Sequence, residues 1–108
     1  MDISGTAAEL EIDEEEYRSL LRLFTRTAAN ELVQIELAIR SADCVEVAHI
    51  AHSLKGASAS LGLTEFFAIA ESLDAAARTR VLSGADASIA LLKREIDQIS
   101  ESIIVGGS

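Results

Sequence analysis

Residues 13–40 read DEEEYRSLLRLFTRTAANELVQIELAIR, and this stretch decides the fold. Apolar residues stand at Tyr17, Leu21, Phe24, Ala28, Leu32, Ile35 and Ile39, in steps of four and three. That spacing marks one buried face of an α-helix. Asp13 opens the run as an N-cap, with Glu16 three residues on in the capping-box position. Glu14, Glu15 and Glu16 sit at the positive end of the helix dipole, and Arg40 lies in the last turn, where a cation suits the opposite end. Such a helix of about 28 residues would be roughly 42 Å long.

Three shorter helices follow the same pattern. Ser41-Ala42-Asp43 is a short connection, with Asp43 as a cap. A second helix runs from Cys44 to Leu61, its inward stripe being Cys44, Val47, Ala51, Leu54, Ser58 and Leu61. Gly62 suits the left-handed conformation that closes a helix. Thr64 caps a third helix burying Phe66, Ile69, Leu73, Ala77 and Val81. Ser83-Gly84 is the next break. A fourth helix from Ala85 to Ile104 turns Ala85, Ile89, Leu92, Ile96, Ile99 and Ile103 inward. Proline is absent, and alanine, the best helix former, is frequent. The expectation is all-α: an antiparallel up-down-up-down four-helix bundle over residues 13–104. Residues 1–12 form an N-terminal segment with room for one extra helical turn near Thr6 to Leu10, and residues 105–108 a flexible C-terminal tail.

Composition limits the function. The 108 residues are enough for one hydrophobic core, with 49% hydrophobic and 25% charged residues. Nine basic against 18 acidic residues give a net charge of −9. Nucleic acid and anionic membrane surfaces are both disfavoured as partners by that charge. One cysteine, Cys44, forms no internal disulfide, so the chain reads as cytoplasmic. The acidic N-terminus carries no signal-peptide pattern, and no apolar run reaches the roughly 18 residues of a membrane span. Without a Gly-rich phosphate loop the chain is not an ATP-dependent kinase by itself.

The chemistry concentrates in the second helix. It holds His49 and His52, the two histidines of the chain. His52 lies off the centre of the buried stripe, and its row neighbours are Ala48, Lys55, Gly56 and Ala59. Three of these are small, so the ring stands proud with open space beside it. Glycine within a helix costs roughly 1 kcal/mol against alanine, and close approach by a partner is one compensation for Gly56. Lys55 puts a positive charge one turn from the imidazole, where it suits an anion attached to the ring. A neutral imidazole is a good nucleophile that needs no base, and phosphoryl transfer asks mainly for positioning and charge stabilisation. On spacing alone, a histidine on a solvated face explains the pattern equally well.

The run His52-x-x-Lys55-Gly56-x-Ser58-x-x-Leu61-Gly62 resembles the motif of histidine-containing phosphotransfer (Hpt) domains, and the resemblance extends to Leu73-Asp74 and Ala77-Arg78. It implies a four-helix bundle in which His52 is phosphorylated and exchanges the phosphoryl group with an aspartate on a receiver domain. Lys55 would be the basic residue beside the phosphate, and Gly56 and Ala59 would give the receiver room to dock. Asp74 stands where many members have Glu or Gln to orient the imidazole. As Asp is shorter, an ordinary surface carboxylate is an equal reading. The partners implied are receiver domains of response regulators or hybrid histidine kinases. The chain would need no cofactor, the Mg²⁺ being expected on the receiver.

His49 fits no essential position of the motif and reads as a partly buried or surface packing residue. Glu46, His49 and His52 could suggest a metal site, but three ligands from successive turns of one helix converge poorly on one ion. Ser53, Ser58 and Ser60 have no triad partners, helix serines commonly bonding the carbonyl one turn back. Two alternatives to a phosphorelay intermediate remain: the N-terminal-type phosphotransfer domain of a chemotaxis-like histidine kinase, and a helical adaptor that takes no phosphate.

Overall fold

The computed structural model describes residues 1–106. They form five helices: α1 (Ile3–Glu9), α2 (Glu14–Arg40), α3 (Cys44–Ser60), α4 (Thr64–Arg78) and α5 (Ala85–Gly106). The caps explain the starts. The Asp13 carboxylate accepts from the backbone N–H of Glu15 and Glu16, and Asp43 does the same for Glu46. Gly62, at φ +70°, closes the turn after α3. The fold spans 42 Å along its longest axis, the length that the 27 residues of α2 set.

Each of α2 to α5 packs on its chain neighbour, and α5 returns to pack on α2. Short connections make consecutive helices antiparallel, so the four close into an up-and-down ring around one core. Tyr17, Leu21, Leu32, Ile35, Val47, Ala51, Leu54, Phe66, Leu73 and Leu92 are all but sealed from solvent. The rings of Phe24 and Phe66 meet edge to face, their centroids 5.0 Å apart. Among the described residues no helix is long and apolar enough to cross a membrane.

Several elements differ from the periodicity reading. The N-terminal segment contains a full helix, α1, capped by Asp2 and anchored by Ile3 and Ala7 in the common core. Two inward residues are too few to register as a period. Thr64 is the first residue of α4 rather than its cap; Leu63 holds the cap position without a side-chain bond. That helix stops at Arg78, so Val81 lies beyond it and is 53% exposed. At the end of α2 the buried residue is Ala38, with Ile39 only half-buried, and Cys44 is likewise half-buried rather than core. The last helix runs on through Val105 and Gly106, while residues 107–108 of the expected tail lie outside the described residues.

Candidate functional site

Ala51 and Leu54 anchor α3 inward. His52 therefore emerges to one side, its side chain 63% exposed. Phe66, Ala70, Leu73 and Ala77 fix α4 in the same way, and this brings Asp74 to the α3–α4 seam with only 4% of its side chain exposed. A buried carboxylate needs partners. Asp74 Oδ1 accepts from Arg78 Nε at 2.8 Å, and Oδ2 accepts from Lys55 Nζ at 3.3 Å. The same Oδ2 lies 3.6 Å from His52 Nδ1, a close electrostatic contact just beyond hydrogen-bond reach.

Burial alone would push the Asp74 carboxyl up. Hydrogen bonds from Arg78 and Lys55, with their charges, outweigh it and hold the group below the ordinary carboxylate range. Asp74 is thus an anion at neutral pH. A carboxylate facing Nδ1 favours the ring proton on that nitrogen and leaves the lone pair on Nε2. A solvent-facing imidazole with one nitrogen so held, and an ammonium one helical turn away, can attack an electrophile and hold the anionic product.

Gly56 is exposed, and a Cβ built on it would meet nothing within 4 Å. Nothing among the described residues requires a glycine there. Ala59, one turn further, is also exposed, so the surface beyond Lys55 is low and open. On the α2 side of α3 lies an apolar groove of about 300 Å³, lined by Leu20, Leu23, Phe24, Ala28, Leu54 and Ala57 among others. Leu23 is 58% exposed, a large apolar side chain left facing water.

The structure thus brings together His52, Lys55 and Asp74, with Gly56 and Ala59 beside them. Asp74 is no surface carboxylate: it is the buried hub of the cluster. Arg78, which sequence reasoning tied only to the motif, is its shortest-bonded partner. The Asp74–Arg78 spacing of i,i+4 on one helix was the available signal. His49 is exposed and stands outside the Asp74 cluster; burial pushes up the carboxyl of Glu31 on α2, an effect that nearby His49 only partly opposes. Ser58 and Ser60 donate to the carbonyls of Lys55 and Gly56 one turn back. Among the described residues no group of three or more His, Cys, Asp or Glu is placed to hold a metal ion, so Glu46, His49 and His52 do not converge.

The family model described as Hpt domain matches residues 19–102. The chain is similar to the crystal structure of histidine-containing phosphotransfer protein B (HptB) from Pseudomonas aeruginosa PAO1. The two are 28% identical with a TM-score of 0.83, over 94% of this chain and 88% of that one. No curated protein matches the chain.

Proposed function

The chain belongs to the Hpt domain family, and from that premise we propose that His52 is its phosphoaccepting residue. Its role is histidine phosphotransfer in two-component signalling. The observation that carries the assignment to His52 is the contact of Nδ1 with buried, ionised Asp74 while the ring remains exposed.

The Nε2 lone pair attacks the phosphorus of a receiver's phosphoaspartate. The N–P bond forms as the acyl phosphate P–O bond breaks, and the aspartate leaves as carboxylate. The ring proton stays on Nδ1, where Asp74 offsets the positive charge the ring acquires. Lys55 faces the phosphoryl oxygens. Reversal of these steps on a second receiver's aspartate completes the relay, and the direction of flow follows from which receiver is phosphorylated. On this reading the chain carries no cofactor of its own, and the Mg²⁺ that neutralises charge in the transfer is the receiver's. Receivers of response regulators or hybrid histidine kinases dock over Gly56 and Ala59, with the apolar groove between α2 and α3 supplying a modest, transient interface. The phosphotransfer unit is residues 13–104, acting in the cytoplasm.

The test is incubation with a panel of phosphorylated receivers in the absence of ATP and of any kinase. Wild type and His49→Ala should acquire an acid-labile label, and His52→Ala should not. Label that survives in His52→Ala, or disappears in His49→Ala instead, overturns the assignment.

A further inference from the structure

A second groove, of about 540 Å³, runs between α3 and α4 with His52 on its wall. His49, His52, Arg78 and Arg80 line it over an apolar base that includes Ala48 and Ala77. Among the described residues no carboxylate lines this groove, in a chain whose net charge is −9. Lys55 adds a further cation beside His52; Asp74 pairs with both Lys55 and Arg78, but its single negative charge leaves the set Lys55, Arg78 and Arg80 with an excess of positive charge.

Arg80 is the least committed of these groups. It follows the Thr79 cap of α4 in the left-handed conformation, at φ +60°, with its N–H bonded to the Ala77 carbonyl at 3.0 Å. The next residue, Val81, bonds back to Ala76 at 2.9 Å. This closed turn holds the base of the Arg80 side chain at the groove's rim. Among the described residues Arg80 has no ion-pair partner, whereas Arg78 is bonded to Asp74.

We propose that this groove docks an acidic segment of the receiver surface beside the phosphoaspartate, with Arg80 as its principal contact. The proposal rests on the reading of His52 as phosphoacceptor. A phosphoaspartate donor is itself an anion and must approach a strongly acidic protein. Charge of one sign concentrated beside the reacting group reverses the local field and speeds encounter. The groove is open and its arginines are exposed, with no enclosed cradle for a small free anion. A broad cationic wall fits the carboxylates of a protein segment instead.

The experiment measures phosphotransfer against receiver concentration at low and physiological salt. The donor is the panel receiver that labels the wild-type chain fastest, phosphorylated beforehand with acetyl phosphate. Arg80→Glu should raise the half-saturating receiver concentration about tenfold, leave the saturating rate within about twofold, and flatten the salt dependence. Arg80→Gly should shift it in the same direction by about threefold. Its Tm should match or exceed wild type, since glycine accepts the positive φ without strain. Unchanged half-saturation in Arg80→Glu overturns the proposal, as does a loss confined to the saturating rate. Millimolar inorganic phosphate competing with the receiver on wild type but not on Arg80→Glu, with unchanged receiver saturation, overturns it in favour of a small-anion site. Loss of label in His52→Ala is read separately, so failure at Arg80 leaves that assignment standing.

Discussion

Nδ1 of His52 lies 3.6 Å from Oδ2 of Asp74, and the same oxygen accepts from Lys55 Nζ at 3.3 Å. One carboxylate therefore faces both the imidazole proposed as nucleophile and the ammonium beside it. The carboxylate is buried while His52 is exposed. Arg78, bonded to the other oxygen at 2.8 Å, stops the carboxylate from rotating away. The shorter reach of Asp compared with Glu or Gln leaves the imidazole contact long. The remaining acceptor capacity goes to the two cations.

Asp74→Asn should cost about 1–2 kcal/mol at pH 7, below the full worth of two charge-assisted hydrogen bonds because Arg78 is solvent-exposed. The pH dependence has a defined sign. The folded-state pKa of Asp74 is lowered from the ordinary 3.8, so its contribution is fully present above that value and lost as pH falls through the lower, folded one. The gap between wild type and Asp74→Asn in urea denaturation should therefore be constant from pH 7 down to about pH 5 and close at lower pH. A gap that widens in acid contradicts the ionised hub.

Lys55→Ala separates chemistry from folding. The lysine is partly exposed and bonds Asp74 at 3.3 Å, while Arg78 remains to pair that carboxylate. Stability should fall by less than about 1 kcal/mol. Phosphoryl transfer at saturating receiver should fall about 100-fold, the low end of the scale for removing one group that stabilises developing anionic charge, because Lys55 is partly exposed. Rapid-quench measurement of labelled chain gives the rate, and thermal melts give the stability.

The bundle was legible because its signals repeat. Seven apolar residues in α2 keep one period, and Asp13, Asp43 and Gly62 punctuate the chain where caps and turns form. The candidate cluster was legible in part because His52, Lys55 and Gly56 occupy one helix. Asp74 was half-legible: its number was read, its burial was not. A carboxylate in an inward arc looks like a surface residue until the partners that permit burial are known, and Lys55 lies 19 residues away on another helix. The cationic groove was hidden for the same reason, since Arg80 reaches it only through the closing turn of α4. Helix α1 was legible only as one turn near Thr6 to Leu10, because two anchors, Ile3 and Ala7, make no period.

Tyr17→Phe tests the tie between α2 and the end of α3. The Tyr17 hydroxyl donates to the Leu61 carbonyl at 2.6 Å, and burial pushes its pKa up from 10.0. Removing the hydroxyl should cost about 1 kcal/mol, or roughly 4 °C in Tm. Above pH 10 the unfolded chain ionises more readily than the folded one, so wild type should lose stability there that Tyr17→Phe keeps. Phosphotransfer should be unchanged, because the bond lies away from His52.

Gly56→Ala should move stability and function in opposite directions. A methyl group at this position meets nothing within 4 Å, so the fold accepts it without displacement. Alanine is the better helix residue by roughly 1 kcal/mol, which predicts a Tm increase of about 4 °C. If the open surface beside His52 exists for a docking receiver, the same methyl intrudes on the partner, and Gly56→Leu intrudes further. Half-saturating receiver concentration should then rise in the order Gly56, Gly56→Ala, Gly56→Leu, while both variants stay folded. A gain in stability with no change in transfer for either variant would mean that the receiver does not approach over Gly56, and that the glycine's cost must be explained some other way.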